Sequence, residues 1–257
     1  MAANGMDLKG RAALVTGGTS GIGLATATSL ARQGANLVLG ARSENPAVLS
    51  ELTALAGQHG ARCVFVAGDV RDPDTSARLV AAAQKEFGGV DAVVHAAGGP
   101  APGTALNQSY ASWLDAFDVH VNSAFHLFRA AHAGLAASKG AVVLLSSAAA
   151  LRGCPGTIAY QTVKAALIQM ARALARDHAA EGIRANCAAP GIIRTPFQAG
   201  MTEEARLNNL KNRIPLGREG TGGQHDPAAD RQRVHHRRNR RARWRHVDAN
   251  GLARFRT

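Results

Sequence analysis

The sequence lacks the features of a membrane, secreted or disulfide-bonded protein. No apolar run among its 257 residues reaches the ~18 needed to cross a bilayer. The N-terminal segment MAANGMDLKG has no basic stretch followed by an apolar one, so no secretory signal is predicted. Cys63, Cys154 and Cys187 are far apart and form no CxxC pair. These absences predict a cytoplasmic protein with free thiols, no metal centre and no membrane association.

Lysine and glutamate are absent from the last 37 residues, which contain ten arginines and three aspartates. This segment therefore contributes +7 (10 − 3) of the formal net charge of +12, and the first 220 residues contribute only +5 (20 − 15). The basic character belongs to the tail and does not describe the rest of the chain.

The first 220 residues alternate short apolar runs with amphipathic segments. Six runs, among them AALVTGG, NLVLGAR and GAVVLLSSAA, are short, unbroken and apolar, which is typical of strands buried on both faces of a parallel sheet. The segments between them have helical periodicity, and Asp72-Pro73 begins one of these helices. The pattern predicts a single α/β domain over residues 1–220, a Rossmann-like, doubly wound parallel sheet with helices on both faces.

A glycine cluster, TGGTSGIG (Thr16 to Gly23), lies between the first predicted strand and the first predicted helix. Gly17, Gly21 and Gly23 permit a tight turn and a close approach of the backbone to a pyrophosphate. The N-terminus of the adjoining helix offers free N–H groups to phosphate oxygens. In this strand–turn–helix setting the cluster predicts a nucleotide site.

Tyr160 and Lys164 are four residues apart in YQTVK and so share one helix face. A tyrosine with its ordinary pKa near ~10 moves protons poorly at neutral pH, and an adjacent ammonium is expected to lower that pKa. Ser147 ends an apolar strand thirteen residues before Tyr160. The competing serine, Ser146, fits the spacing less well.

The combination of TGxxxGxG with Ser-x12-Tyr-x3-Lys resembles the short-chain dehydrogenase/reductase family. The resemblance implies an oxidoreductase that interconverts a secondary alcohol and a ketone by hydride transfer. It implies that Tyr160 is the general acid and base, that Lys164 holds the nicotinamide ribose, and that Ser147 positions the substrate oxygen. Asn122 in HVNSAF corresponds to a family asparagine that helps to hold a proton-relay water, although its position also suits an ordinary polar residue of a helix.

The resemblance also implies a set of cofactor contacts. Asp69 corresponds to an acidic residue beside adenine, and the loop PGIIRTPF corresponds to one that holds the nicotinamide carboxamide. HAAG at 95–98 departs from the family's NNAG, and for His95 we expect a structural role. The implied contacts are Thr16, Gly17, Ser20, Gly21, Ile22, Gly23, Asp69, Val70, Ala97, Gly98, Tyr160, Lys164, Pro190, Gly191, Ile193 and Thr195.

The end of the second strand has no acidic residue to bind a ribose 2′-hydroxyl. Arg42 comes after it instead and could clamp a 2′-phosphate, although a solvated surface arginine is the alternative. NADP(H) is therefore favoured over NAD(H). The resemblance further implies a homo-oligomer, a dimer or tetramer, and a small carbonyl or alcohol substrate, such as an acyl-carrier-linked 3-oxo acid or a polyol.

Residues 221–257 do not continue the resemblance, because the helix and final strand of the family are replaced by RQRVHHRRNRRARWRH and its flanks. With permitted codons for Gln232 to Arg245, the frame one nucleotide forward encodes SAFITGAIVVPGG, which resembles that strand. Thr221 to Gly223 similarly become Pro-Glu-Asp. We hypothesise a frame change near Gly220 that removes the last strand and weakens oligomerisation and activity.

Three alternatives to an intact enzyme stay open at the sequence level. A cofactor-binding pseudoenzyme would result from the altered C-terminus. An arginine-rich nucleic-acid-binding arm is disfavoured because aromatic residues are sparse in the tail and no groove-reading motif occurs. Disorder of the tail would result from its high charge and low apolar content.

Overall fold

The computed structural model of the chain describes residues 8–214 and 218–220. These residues form a six-stranded parallel sheet in the order β3-β2-β1-β4-β5-β6. The strands are β1 (Ala12–Thr16), β2 (Asn36–Ala41), β3 (Cys63–Ala67), β4 (Ala92–His95), β5 (Ala141–Leu145) and β6 (Arg184–Ala188). The predicted Rossmann-like sheet is confirmed. The predicted loss of a further strand concerns residues 221–257, which lie outside the described residues.

Seven α-helices connect and flank these strands in the described part of the chain. They are α1 (Gly21–Arg32), α2 (Pro46–Gln58), α3 (Pro73–Phe87), α4 (Tyr110–Phe117), α5 (Ser123–Ser138), α6 (Ile158–Asp177) and α7 (Glu203–Asn212). A π-helical turn at Asp118–Asn122 joins α4 to α5. The sequence pattern predicts one continuous helix there.

Local chemistry explains where α3 begins and ends. Asp72 precedes it, and its carboxylate accepts a hydrogen bond from the backbone N–H of Asp74 at 3.0 Å. Pro73 fills the first turn, where its missing N–H costs nothing. Gly88 ends the helix with a φ of 81°, in the left-handed region that glycine adopts without strain. The Asp-Pro signal in the sequence thus marks the real helix start.

The apolar strands are buried because helices pack on both faces of the sheet. On one face α1 and α2 cover a cluster that includes Val15 and Leu39, both fully buried. On the other face α3, α5 and α6 cover Leu14, Val38 and their neighbours. Each Å² of apolar surface that is removed from water contributes ~25 cal/mol to stability, so this burial on both faces is the main stabilising contribution of the fold.

The strand order reverses between β1 and β4, and this reversal creates a crevice at the carboxyl edge of the sheet. Thr16 at the end of β1 is paired with Gly40 on one side and with His95 on the other. The loops after these strands therefore diverge to opposite faces and leave space between them, where ligands of open α/β sheets bind. The predicted nucleotide and catalytic segments all lie after strands at this edge.

Candidate active site

The glycine cluster forms a close-packed cradle between β1 and α1. The Gly17 N–H donates to the Gly40 carbonyl at 2.8 Å, and its φ of 66° lies in the left-handed region. A Cβ on Gly23 would collide with the Gly17 carbonyl oxygen. Ser20 lies directly before α1, and its side chain does not cap the helix, so the N–H groups of the first turn, including that of Ile22, remain available. The cradle fits a pyrophosphate.

The loop after β6 closes the other side of this cradle. A Cβ on Gly21 would lie 3.4 Å from Cβ of Thr195, so the two predicted cofactor segments are in contact distance. The Pro190 carbonyl accepts a hydrogen bond from the N–H of Ala148 at 2.8 Å, which links the loop to the end of β5. Ile193 is buried, and Gly191 is exposed beside it. The structure thus brings the glycine cradle and the PGxxxT loop together.

His95 is a buried structural bridge at the end of β4. Its Nδ1 lies 2.9 Å from the Thr16 hydroxyl and its Nε2 lies 3.1 Å from the Ser123 hydroxyl, so it connects β1, β4 and α5. The N–H of Ala97 donates to the same Thr16 oxygen at 3.3 Å. Burial lowers the pKa of His95 to about 3, and Lys164 contributes to the shift. His95 therefore stays neutral and can bond with both nitrogens.

The two residues predicted at the adenine end lie on neighbouring loops. Arg42 is exposed directly after β2. Asp69 lies just beyond β3, and its carboxylate is already bonded to the guanidinium of Arg71 at 2.6 Å. The hydrogen bond from Arg71 is the main reason that the pKa of Asp69 lies below its ordinary value. Val70 is half-buried next to it. If Asp69 contacts adenine, its carboxylate must bind adenine and Arg71 at the same time.

Ser147, Tyr160 and Lys164 meet where β5 ends against α6. Ser147 lies close enough to Tyr160 to act as a hydrogen-bond partner that lowers the pKa of the tyrosine. Lys164 is buried, its Nζ lies 5.6 Å from the centre of the Tyr160 ring, and it donates to the Leu145 carbonyl at 2.7 Å. Ser146 is turned away and donates to the Lys164 carbonyl at 2.7 Å. The serine that the spacing favours is the one that faces the tyrosine.

Burial shifts the pKa values of two residues in this group. Burial raises the pKa of Tyr160 above its ordinary value, and the hydrogen bond from Ser147 offsets only part of this. The Lys164 Nζ lies 5.6 Å from the centre of the Tyr160 ring and donates to the Leu145 carbonyl. Burial lowers the pKa of Lys164 to about 8. The lowering of the Tyr160 pKa by Lys164 stays a prediction.

Asn122 is not brought into the catalytic group. Its side chain is exposed and donates to the Asp118 carboxylate at 2.7 Å. A π-helical turn contains an additional residue, so the inward face of α4 does not continue in register into α5. The residue that faces inward from this turn is His120, which is 2% exposed.

His120 is a site residue that the sequence pattern does not reveal. Its ring meets the Tyr160 ring edge-on at a centroid distance of 5.9 Å, and its Nε2 lies 3.1 Å from the Gly99 carbonyl. A Cβ on Gly98 would come within 2.8 Å of Nδ1, so glycine at 98 leaves room for the imidazole. Burial and the nearby Lys164 lower the pKa of His120 to about 3. Helical periodicity in the sequence does not reveal the π-helical turn, so nothing around His120 indicates that its side chain faces inward.

The segments on both sides of α7 contact residues at the catalytic end of the site. The Phe197 ring stands 5.9 Å from the Tyr160 ring. Arg213, directly after α7, donates to the sulfur of Cys154 at 3.2 Å. The Cys154 N–H donates to the Gln161 side chain at 2.9 Å, one residue after Tyr160. The resemblance to the family implies a substrate lid over Phe197 to Ile214 but does not single out these side chains.

Away from this site, His132, His178 and Glu181 form a surface cluster with metal-ligand atoms within 4.8 Å of one another. Glu181 bonds to His132 Nε2 at 2.6 Å and to His178 Nδ1 at 3.2 Å. These hydrogen bonds link α5 to the segment that follows α6. The sequence predicts no metal centre.

Among the described residues, no helix has the length and apolar composition to cross a membrane.

Comparison with known proteins agrees with this geometry. A family model described as enoyl-(acyl carrier protein) reductase, adh_short_C2, matches residues 17–228. The 3-oxoacyl-(acyl-carrier-protein) reductase FabG of Chlamydia muridarum is 34% identical over 215 residues, which cover 83% of this chain and 86% of that protein. The chain belongs to the short-chain dehydrogenase/reductase family. It is an oxidoreductase of this family, whose members use a nicotinamide cofactor.

Other short-chain dehydrogenases/reductases show the same extent of similarity. Cis-4-hydroxycyclohexanecarboxylate dehydrogenase of Sinomonas cyclohexanicum is 35% identical and covers 81% of this chain and 83% of its own. The solved structure of a short-chain type dehydrogenase/reductase from Mycobacterium ulcerans superimposes with a TM-score of 0.77 at 29% identity, over 85% of this chain and 81% of that one. The family match ends at 228 and leaves most of the arginine-rich tail unmatched.

Proposed function

We propose that the protein interconverts a secondary alcohol and a ketone, with Tyr160 as general acid and base and with NADP(H) as the preferred cofactor. The observation that carries this proposal is that Tyr160 and Lys164 lie against the end of β5, next to Ser147, at the same edge of the sheet as the glycine cradle. A shared edge of the sheet for both segments supports a hydride-transfer site in the crevice between them. The nicotinamide, when bound, supplies or accepts the hydride.

The chain's own residues would supply the proton and the positioning. In reduction, the Tyr160 hydroxyl donates its proton to the substrate oxygen, and in oxidation the phenolate takes the proton back. Because burial raises the pKa of Tyr160, the protonated form that reduction needs persists at neutral pH. The Ser147 hydroxyl holds the substrate oxygen beside it. Lys164, with a pKa of about 8, would bind the nicotinamide ribose and could exchange protons near neutral pH.

The cofactor preference rests on the loop after β2. Arg42 is exposed there, and no acidic side chain ends this strand. A guanidinium binds a 2′-phosphate through paired charge-assisted hydrogen bonds, which NAD cannot offer. We expect NADPH to give the higher kcat/KM, and Arg42→Asp to reverse the order of NADPH and NADH.

The test is a cofactor-binding and turnover assay on the full chain. NADPH binding is measured by its fluorescence, and its oxidation is measured across a panel of ketones and 3-oxoacyl thioesters. Turnover of one carbonyl class supports the proposal. NADPH binding without oxidation across the panel would contradict it and would favour a cofactor-binding pseudoenzyme.

A further inference from the structure

A cluster of two histidines and a glutamate joins α5 to the turn that follows α6. His132 belongs to α5, His178 directly follows α6, and Glu181 ends the short 3₁₀ turn at Ala179–Glu181. One carboxylate oxygen of Glu181 lies 2.6 Å from His132 Nε2, and the other lies 3.2 Å from His178 Nδ1. Two imidazole nitrogens from separate elements thus face a single carboxylate.

The backbone holds two of these three side chains on one side of the turn. The Glu181 N–H donates to the His178 carbonyl at 3.2 Å, and the Gly182 N–H donates to the Ala179 carbonyl at 3.0 Å. In a 3₁₀ turn, side chains three residues apart lie one above the other. His178 and Glu181 therefore face the same way through the local backbone conformation alone.

A phenylalanine of the core restrains the two imidazole rings. Phe128 is 6% exposed, and the centre of its ring lies 4.9 Å from that of His178 and 5.8 Å from that of His132. The centres of the two imidazole rings are 4.9 Å apart. The side chains of His132 and His178 are nevertheless 38% and 23% exposed. The rings are thus held from the core side and are accessible to an ion from solvent.

The distances and the ligand types of this cluster suit a zinc ion. One ligand atom from each of the three residues lies within 4.8 Å of the other two. A tetrahedral zinc ion separates its ligand atoms by ~3.3 Å, so side-chain shifts of about 1 Å close the cluster on it. Zinc accepts imidazole nitrogens together with a carboxylate oxygen, whereas magnesium and calcium prefer oxygen ligands alone. Water completes the coordination.

The charges at the cluster also favour a cation. The C-terminal end of a helix carries a partial negative charge, and His178 follows the last residue of α6. Glu181 adds a full negative charge, and its pKa lies below the ordinary value mainly because of the hydrogen bond from His178. Each imidazole presents a lone pair to the ion in the tautomer that carries its proton on the opposite nitrogen.

We propose that His132, His178 and Glu181 bind one Zn²⁺ ion, which clamps α5 to the end of α6 and stabilises the fold. The site is separate from the catalytic group, because His178 lies eighteen residues beyond Tyr160, roughly 27 Å along α6. The proposal is therefore independent of the proposed function. No metal-ligand spacing appears in the sequence, because His132 is far from His178 along the chain.

Calorimetric titration of the full chain with Zn²⁺ tests the site. The tail contains further histidines that would also take up zinc, so all of them are replaced by glutamine in every protein compared. They are His225, His235, His236 and His246. This background protein should bind one Zn²⁺ per chain. His132→Gln, His178→Gln and Glu181→Gln should each raise the Kd for Zn²⁺ at least roughly tenfold, because each removes a ligand.

His126→Gln is the matched control, because His126 is a half-buried histidine of the same helix outside the cluster. It should bind Zn²⁺ as tightly as the background protein does.

Thermal unfolding tests whether the ion acts as a clamp, and melting in EDTA shows that each variant is folded. At a Zn²⁺ concentration 100-fold above its Kd, the background protein should melt roughly 5–10 °C higher than in EDTA. Glu181→Gln at the same concentration should gain about half of this shift or less. Equal Kd values in the background protein and the three ligand variants, or a melting temperature that Zn²⁺ does not raise, would overturn the proposal.

Discussion

At the scale of single residues, the site depends on buried groups that are held in their neutral or less charged states. Lys164, His95 and His120 lie close together behind Tyr160, and burial lowers the pKa of each. Neutral imidazoles can face the Lys164 ammonium without strong repulsion. The same burial costs stability, since an unfolded chain would protonate all three groups more readily.

The cost of burying Lys164 gives a pH-dependent prediction. Its pKa is about 8 in the folded protein against an ordinary value of 10.5, so between these pH values the unfolded chain binds more protons and stability rises with pH. Lys164→Met removes this contribution. Near neutral pH, Lys164→Met should exceed the wild type in free energy of unfolding by its largest margin. This margin should shrink by about 2 kcal/mol by about pH 9.5.

Denaturant unfolding of both proteins across this pH range measures the effect. The absolute difference includes the Leu145 carbonyl, which loses its donor in the variant. The loss of this hydrogen bond does not vary with pH, so it does not affect the pH dependence of the stability difference. A difference that stays constant with pH would show that Lys164 keeps its ordinary pKa in the folded protein.

At the scale of elements, the glycine cradle was predictable and the turn between α4 and α5 was not. The strand–glycine–helix order fixes where β1 ends and α1 begins, so the sequence places Gly17, Gly21 and Gly23 correctly at the helix start. Helical periodicity could not reveal the π-helical turn, and this turn decides that His120 faces Tyr160 and Asn122 faces solvent. The direction in which Lys164 bonds is likewise a tertiary property, because its acceptor belongs to β5.

The cradle predicts opposite effects for two glycine-to-alanine substitutions. Gly23→Ala places a Cβ against the Gly17 carbonyl and should weaken NADPH binding at least roughly tenfold, because the backbone that approaches the phosphates must move. Gly57→Ala in α2 meets nothing within 4 Å. It should leave the affinity unchanged and stabilise the fold by up to about 1 kcal/mol, as alanine favours helix.

Fluorescence titration with NADPH and thermal unfolding measure these two outcomes. If Gly23→Ala binds NADPH as tightly as Gly57→Ala does, the cradle is not the phosphate site.

At the scale of the whole molecule, the described residues form the sheet through β6, and the frame-change hypothesis concerns the part of the chain after Gly220. β6 pairs only with β5 among the described residues, and Arg184 and Asn186 on it are exposed. An open edge of this kind is where a further strand would pair. The family match ends at 228, close to the residue at which the resemblance was predicted to stop.

Restoring the hypothesised reading frame after Gly220 should therefore produce a more stable and more strongly associating protein. The encoded SAFITGAIVVPGG segment would pair with β6 and bury its edge. Thermal unfolding and size-exclusion chromatography of the two full chains measure the difference. Coding DNA that cannot encode this segment in the shifted frame, or equal melting temperatures, would contradict the hypothesis.

The central claim is that Tyr160 transfers the proton in a nicotinamide-dependent reduction, and one comparison tests it most directly. The chain has two tyrosines, and Tyr110 is 75% exposed at the start of α4, which makes Tyr110→Phe a matched control. At saturating NADPH, its oxidation by the best ketone of the panel should fall roughly 10²- to 10⁴-fold in Tyr160→Phe and should stay at the wild-type rate in Tyr110→Phe. A Tyr160→Phe protein that oxidises NADPH with this ketone as fast as the wild type would contradict the account.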